Sequence, residues 1–379
     1  MTYPSIRPTL SCDFSNSRTL DPKISFSRNS SATYLNPATG LITTAPANVA
    51  RFEKEGLLIE ESRTNFLTYS NDFSQWNTAA GSAVGSQLLA PDGTNTGSIV
   101  TSTGGGVNNT SVSGSGAKVL SAYFKNVASG VTVRFGSTSD LNRVFFDSSY
   151  QITGQDSNVL SATFEDSSNG WKKLTIVSSA DFNAVLVYST PGSFGVWGAQ
   201  LEAGNFPTSY IPTSASTVTR AGDVALIDGV SFSSFFRSGA SSWYVKGKGG
   251  KGAPTNTGRF ISPFGAGASS ASTVISCKAG DSDGWNAYDG PNNPSVTGAQ
   301  EHYSSVGSCA VAYDTTTLSI VSAPKIESNA TSLHGTRDYT GVVIGSKGDF
   351  SESFLNGNIS RLSYYDRRLT DAQLMTLTS

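Results

Sequence analysis

Histidine, methionine and cysteine are scarce: the 379 residues hold two, two and three of them. His302, in Gln300-Glu301-His302-Tyr303-Ser304, and His334, in Ser332-Leu333-His334-Gly335-Thr336, are the only imidazoles, and neither stands in a Gly-x-Ser-x-Gly context, so a Ser-His-Asp site is not expected. Cys12, Cys277 and Cys309 are odd in number and widely spaced, which fits neither a disulfide framework nor a zinc pattern; they read as small buried thiols. Charge is also short. Asp, Glu, Lys and Arg make up 14% of the chain, against roughly 25% in an ordinary soluble domain. With 26 basic and 28 acidic residues the net charge is −2, which gives no electrostatic footprint for nucleic acid or an anionic membrane surface. No apolar run reaches the roughly 18 residues of a membrane span, so membrane insertion is not expected. The opening Met-Thr-Tyr-Pro-Ser-Ile-Arg-Pro lacks the basic segment followed by an apolar stretch of a secretory signal, and export by that route is not expected either.

What the chain has in quantity is short β-rich runs bounded by Gly, Asn, Asp and Ser, recurring from about Leu57 onward. Val131, Val133 and Phe135 alternate with Thr132 and Arg134, and Leu174 and Ile176 alternate with Lys173 and Thr175, as half-buried strands do. Ala184-Val185-Leu186-Val187-Tyr188 is apolar at every position, which predicts a central strand covered on both sides. Near the end, Thr370 followed three residues later by Gln373 has capping-box spacing, and Leu374 and Leu377 share one face of the short helix this predicts. Residues 1–56 carry Pro4, Pro8, Pro22, Pro37 and Pro46 with little strand periodicity; they read as an extended anchoring arm with one hairpin at Asn36-Pro37-Ala38-Thr39-Gly40. Pro207 and Pro212, within a Ser/Thr-rich stretch, close a first β-rich unit over 57–215 and open a second over 216–379. The fold class is therefore all-β, with two sandwiches after an arm and a short C-terminal helix.

The polar cluster that stands out is Asp281-Ser282-Asp283-Gly284-Trp285-Asn286-Ala287-Tyr288-Asp289-Gly290. Asp281, Asp283 and Asp289 are spaced to offer oxygens to a hard cation such as Ca²⁺, and Trp285 and Tyr288, with Asn286 and Asp283 beside them, would form a sugar-stacking loop. The competing reading is a β-turn with packed aromatics, since Asp-Gly pairs are ordinary turn formers and the remaining EF-hand acids are missing. Glycan cleavage needs two facing carboxylates; Glu165, Asp166, Glu301 and Glu327 join the three aspartates as candidates, none paired in sequence. Lys246-Gly247-Lys248-Gly249-Gly250-Lys251-Gly252 lacks the order of a phosphate-binding loop and reads as a hairpin tip, and Thr101 to Gly116 reads as a long loop or ragged strands. Arg63, beside Glu60 and Glu61, is placed either for an ion pair that ties the arm to the first sandwich or for a solvated charge cluster.

Five stretches together carry a resemblance: Ser25-Phe26-Ser27-Arg28-Asn29-Ser30-Ser31-Ala32-Thr33-Tyr34, then Gly56-Leu57-Leu58-Ile59-Glu60-Glu61-Ser62-Arg63-Thr64-Asn65, then Tyr69-Ser70-Asn71-Asp72-Phe73-Ser74-Gln75-Trp76. Val196-Trp197-Gly198-Ala199-Gln200-Leu201-Glu202 running into Phe206-Pro207-Thr208-Ser209-Tyr210-Ile211-Pro212 follows, and Ile359-Ser360-Arg361-Leu362-Ser363-Tyr364-Tyr365-Asp366-Arg367-Arg368-Leu369 closes the set. The chain resembles bacteriophage virion proteins of the tail-fibre and head-fibre type that carry jelly-roll modules. The resemblance implies a carbohydrate-binding-module-like jelly roll over 57–215 and a laminin-G or concanavalin-like jelly roll over 216–379. It further implies a structural protein on the exterior of the particle, made in the host cytoplasm, partnered by other virion proteins, assembled as a homotrimer and adhering to host-surface polysaccharide. It carries over no catalytic site, and an enzyme is not expected. No heptads run far enough for a coiled coil, so a trimer would form through sandwich faces or the arm. The alternatives are a capsid-decoration or tail-connector protein without ligand and, behind it, a glycan depolymerase.

Overall fold

The computed structural model describes residues 6–110, 112, 116–135, 142–179, 184–249, 258–266, 274–278, 284–288, 295–297, 306–329, 338–347 and 353–379. The chain is mainly β and divides into two compact units, each built of two packed sheets. The first unit takes Met1–Ser31, Ala45–Glu61 and Ala221–Ser379; the second takes Ala32–Thr44 and Ser62–Arg220. Among the described residues no helix is long and apolar enough to cross a membrane.

In the first unit an eight-stranded sheet runs in the order Lys325–Asn329, Leu318–Ser322, Gly307–Tyr313, Ser241–Lys248, Gly357–Tyr365, Gly56–Ile59, Arg51–Glu53, with Leu10–Asp13 also paired to Gly357–Tyr365. The facing sheet runs Ser25–Ser27, Val224–Asp228, Asp338–Ile344, Gly258–Ala266, Val274–Lys278, Gly284–Tyr288, Ser295–Thr297. Trp243, Val245, Val311 and Ile320 from one sheet meet Ile227, Phe260, Trp285 and Val342 from the other to form the core. The outer face of the eight-stranded sheet is covered too: the helix Asp371–Thr378 seats Leu374 and Leu377 on Tyr244, Ala310, Ala312 and Val321. That second layer explains why Gly307–Tyr313 is buried at every position. The helix starts with the predicted capping box between Thr370 and Gln373.

This arrangement departs from an extended arm over 1–56 followed by sandwiches over 57–215 and 216–379. Leu10 pairs with Tyr364 and Cys12 with Leu362; Ser25–Ser27 pairs with Val224–Asp228; Arg51–Glu53 pairs with Gly56–Ile59. These strands are three or four residues long and separated by prolines, too short to show periodicity in the sequence. The hairpin expected at Asn36–Gly40 is present, with Gly40 at φ 70° donating its N–H to the Asn36 carbonyl at 2.8 Å, and it belongs to the second unit.

In the second unit one sheet runs Val159–Asp166, Lys172–Ser178, Lys118–Lys125, Gly192–Ala203, Gly97–Ser102, Ser82–Leu88. The other runs Ile152–Gln155, Arg143–Phe146, Val131–Phe135, Val185–Ser189, Gly106–Asn109, Asn77–Thr78, so within 101–116 the ragged-strand reading holds for Gly106–Asn109. Phe124, Ile176, Phe194 and Val196 pack between the sheets against Val107, Val133, Val144, Phe146 and Val187. Trp197 is outside that core. It joins Tyr123, Trp171 and Tyr210 in a second cluster on the outer face of the first sheet, with ring centroids 5.2 Å from Tyr123 and 4.6 Å from Tyr210. The segment over 206–213 is pinned there by polar residues of Gly192–Ala203: Ile211 N–H donates to Gln200 Oε1 at 2.5 Å and Thr208 N–H to Glu202 Oε2 at 3.0 Å. The Trp-Gly-Ala-Gln-Leu-Glu and Pro-Thr-Ser-Tyr-Ile-Pro stretches are thus two halves of one packing device.

Candidate functional site

Trp285, expected to stack on a sugar, is a core residue. Its ring is fully buried and stands 4.8 Å from the Phe260 ring, because strand alternation turns Trp285 and Ala287 inward. Asn286, between them, points the other way and is buried, its amide nitrogen without an acceptor among the described residues. Tyr288 ends the strand opposite Val274, and its side chain, like Asp281, Asp283 and Asp289, lies outside the described residues. His302, His334 and Glu301 lie outside them as well. Glu165, Asp166 and Glu327 are exposed on strands, Asp166 paired with Lys172. Among the described residues no three His, Cys, Asp or Glu side chains gather as a metal site would need. Cys309 is a free, buried thiol, as is Cys12.

The arrangement with chemistry on offer is the outer face of the second unit's other sheet. Val131, Val133, Val144, Phe146, Val185 and Val187 point into the core. Alternation therefore turns Thr132, Arg134, Arg143, Phe145, Leu186 and Tyr188 outward, and all six are half-exposed. Register arranges them in two cross-strand rows. One runs Gly154, Phe145, Thr132, Tyr188, Gly106; the other runs Arg143, Arg134, Leu186, Asn108, Asn77. Phe145 and Tyr188 are two strands apart, which places their rings about 10 Å from each other at the usual strand spacing. Gly154, opposite Phe145, leaves that ring uncovered on one side: a Cβ there would touch Phe145 Cδ2 at 3.6 Å.

The second row supplies the polar groups. Asn77 Nδ2 donates to Asn108 Oδ1 at 3.4 Å. Arg143 is gripped by Asp156, Nε to Oδ2 at 2.8 Å and a terminal nitrogen to Oδ1 at 3.3 Å, and its guanidinium lies 5.4 Å from the Phe145 ring centroid. The bonds from Arg143 hold the Asp156 carboxyl below the ordinary carboxylate value despite partial burial, and Asp156 in turn holds Arg143 protonated. Arg143 remains 39% exposed, a fixed cation beside two half-exposed rings.

The sequence concealed this face for an identifiable reason. Ala184 to Tyr188 is apolar throughout and predicts burial on both sides, yet Val185–Ser189 alternates and leaves Leu186 and Tyr188 open. The usable signal was in the neighbouring strand, where Thr132 and Arg134 alternate with apolar residues and mark a wet face.

No family model matches the chain, and no curated protein matches it. Among solved structures it is similar to the CBM40 domain of the Ruminococcus gnavus IT-sialidase, bound there to α2,3-sialyllactose: 11% identity over 38% of this chain and 84% of that one, TM-score 0.31. It is also similar to the CBM22 tandem of Paenibacillus barcinonensis Xyn10C, with 10% identity over 80% of this chain and 96% of that one, TM-score 0.24. Domains LG4-5 of the mouse laminin α1 chain match at 9% identity over 76% and 88%, TM-score 0.22. At these identities and scores the likenesses do not say what this chain binds.

Proposed function

We propose that the chain is a non-catalytic adhesion protein that binds a glycan along the Phe145–Thr132–Tyr188 row, and that it serves on the exterior of a bacteriophage particle as a homo-oligomer, a trimer, held by other virion proteins. One observation carries the binding half: two half-exposed aromatic rings share a cross-strand row on an open sheet face, with Arg143, Asn108 and Asn77 in the row beside them. A pyranose has an apolar face of C–H groups and a rim of hydroxyls. Aromatic rings take the first; guanidinium and amide groups take the second by paired hydrogen bonds. Rings about 10 Å apart suit two sugar units of one chain better than a single monosaccharide. The particle half rests on the five-stretch resemblance. It is supported by the way the residues of those stretches serve as buried scaffold and leave the outer faces free to differ.

The test is a glycan array and a host-cell adsorption assay on the intact chain, with Tyr188→Ala and Phe145→Ala beside it and light scattering for the assembly mass. The expected result is saturable binding that falls about tenfold or more with either substitution while folding is kept. A chelator arm tests the Ca²⁺ reading of Asp281, Asp283 and Asp289. A folded protein that binds no glycan and no host surface would move the assignment to a decoration or connector protein without ligand.

A further inference from the structure

We infer that the glycan selected by this face is an acidic one, its carboxylate taken by Arg134. This deepens the glycan-binding reading and rests on it. Arg134 stands in register between Arg143 on one side and Leu186 on the other. Two arginines directly opposite each other on one sheet face repel. The nearby carboxylate is spent on Arg143, since both oxygens of Asp156 are engaged there. Arg134 has no acidic partner among the described residues, and its Nε is shielded from solvent with no acceptor. That Nε is closed to any ligand, but Arg134 is half-exposed, so a planar carboxylate can approach the open side of its guanidinium in the two-bond fork geometry that Arg favours and relieve the repulsion from Arg143.

The position suits a substituent on a stacked sugar. Arg134 follows Thr132 by two residues, so it lies about 7 Å along the strand from the aromatic row. A pyranose stacked on Tyr188 or Phe145 and carrying a carboxylate at its edge, as uronic and nonulosonic acids do, presents that group toward the second row. The chain as a whole carries a net charge of −2, so polyanions gain nothing from its overall field and the attraction is confined to this face.

The experiment measures binding of the intact chain to polygalacturonate, alginate and polysialate, and to carboxyl-reduced polygalacturonate as the neutral counterpart, for the parent, Arg134→Gln and Tyr188→Ala. Thermal melting confirms that each variant is folded. The expected result is binding to at least one carboxylated polymer that weakens about ten- to hundredfold with Arg134→Gln, while Tyr188→Ala weakens it too. Any residual binding to the reduced polymer should be indifferent to Arg134→Gln. Equal binding of acidic and neutral polymers, or of neutral polymers alone, overturns the inference and leaves the glycan-binding reading standing. Binding to polyanions that neither substitution disturbs places the contact elsewhere and overturns both. Failure to bind any of these polymers overturns the inference, the glycan array deciding the glycan-binding reading separately; an assembly mass that falls with Arg134→Gln overturns both, since it would make this face a contact between copies of the chain.

Discussion

Glu60 and Asp223 clasp each other across 163 residues of sequence: the Glu60 N–H donates to Asp223 Oδ2 at 2.9 Å, and the Asp223 N–H donates to the Glu60 carbonyl at 2.9 Å. Arg51 bridges both carboxylates, at 2.7 Å to Glu60 and 2.5 Å to Asp223, and Arg28 reaches the other Asp223 oxygen at 3.0 Å. Two cations and two anions, all buried, thus join residue 28, residue 51 and the two ends of the first unit's chain where it leaves at Glu61 and returns at Ala221. Arg28 also donates to the Ser30 and Pro46 carbonyls, at 2.9 and 2.7 Å. The Ser-Phe-Ser-Arg stretch, expected in a linear arm, and the Leu-Leu-Ile-Glu stretch, expected at the start of the first sandwich, are both parts of this knot. Arg63 donates to the Ala203 carbonyl and lies 4.4 Å from the Phe206 ring centroid, and Glu60 takes Arg51.

The knot predicts an asymmetric mutational response. Asp223→Ala leaves two buried arginines with only the Glu60 carboxylate between them, bonded to Arg51, and should destabilise the first unit by about 3–5 kcal/mol, because an uncompensated buried charge costs more than the ion pair returns. Glu60→Gln keeps an acceptor for Arg51 and should cost less. Urea unfolding of the two variants checks the order; a loss below about 1 kcal/mol for Asp223→Ala would show that water reaches the arginines.

Trp285→Ala separates core from contact. With the ring fully buried against Phe260, truncation should cost about 3–5 kcal/mol of stability, the range for an indole or phenyl removed from a packed interior. A drop in melting temperature of several degrees with glycan binding unchanged below the transition is the expected pattern. A loss of binding without a loss of stability would restore the stacking role.

How far the sequence could be read follows from these residues. The all-β class and the terminal helix were legible, since runs such as Val131–Phe135 and the Thr370/Gln373 box encode their own structure locally. Leu10–Asp13 and Ser25–Ser27 were not legible because their partner strands lie more than 150 residues away, a pairing that leaves no local trace. Trp285 stood between two readings because an aromatic between acids and glycines looks the same in a binding loop and in a short core strand; its burial against Phe260 favours the packed-aromatic one. The Phe145–Tyr188 row was invisible for a related reason. It exists only through the register of three strands spread over 131–188.

Stability should fall at alkaline pH. Burial, helped by the Asp21 charge, pushes the Cys12 thiol up to about 12 from an ordinary 9.0, and burial pushes the Tyr244 hydroxyl up to about 12 from 10.0. In both cases the folded chain keeps a proton that the unfolded chain releases. The contribution is whole below pH 9 and is lost as pH rises from there toward 12. The urea midpoint should be level near neutrality and decline above about pH 9; Cys12→Ala should reduce the earlier part of the decline, the buried Cys309 thiol, also pushed up by burial, keeping the rest, while the tyrosine part that begins near pH 10 stays. A midpoint that holds steady to about pH 11 would mean that these groups are solvated in the folded state.

Two glycines end the aromatic row, and they predict opposite outcomes. A side chain at Gly106 would collide with the backbone of Val187 and Tyr188, so Gly106→Ala should unfold or strongly destabilise the second unit. Gly154 has ordinary strand geometry, and its Cβ would make only van der Waals contact with Phe145 at 3.6 Å. Gly154→Val should therefore leave stability unchanged or raise it by up to about 1 kcal/mol, since a β-branched residue suits a strand better than glycine does. The same methyl groups would stand beside the open flank of Phe145 and crowd a sugar approaching it. Titration calorimetry with the glycan found in the array should show binding several-fold weaker in a protein that melts no lower than the parent. Unchanged affinity in Gly154→Val, with Tyr188→Ala still impaired, would shorten the contact to the Tyr188 end of the row and remove Phe145 from the proposed site.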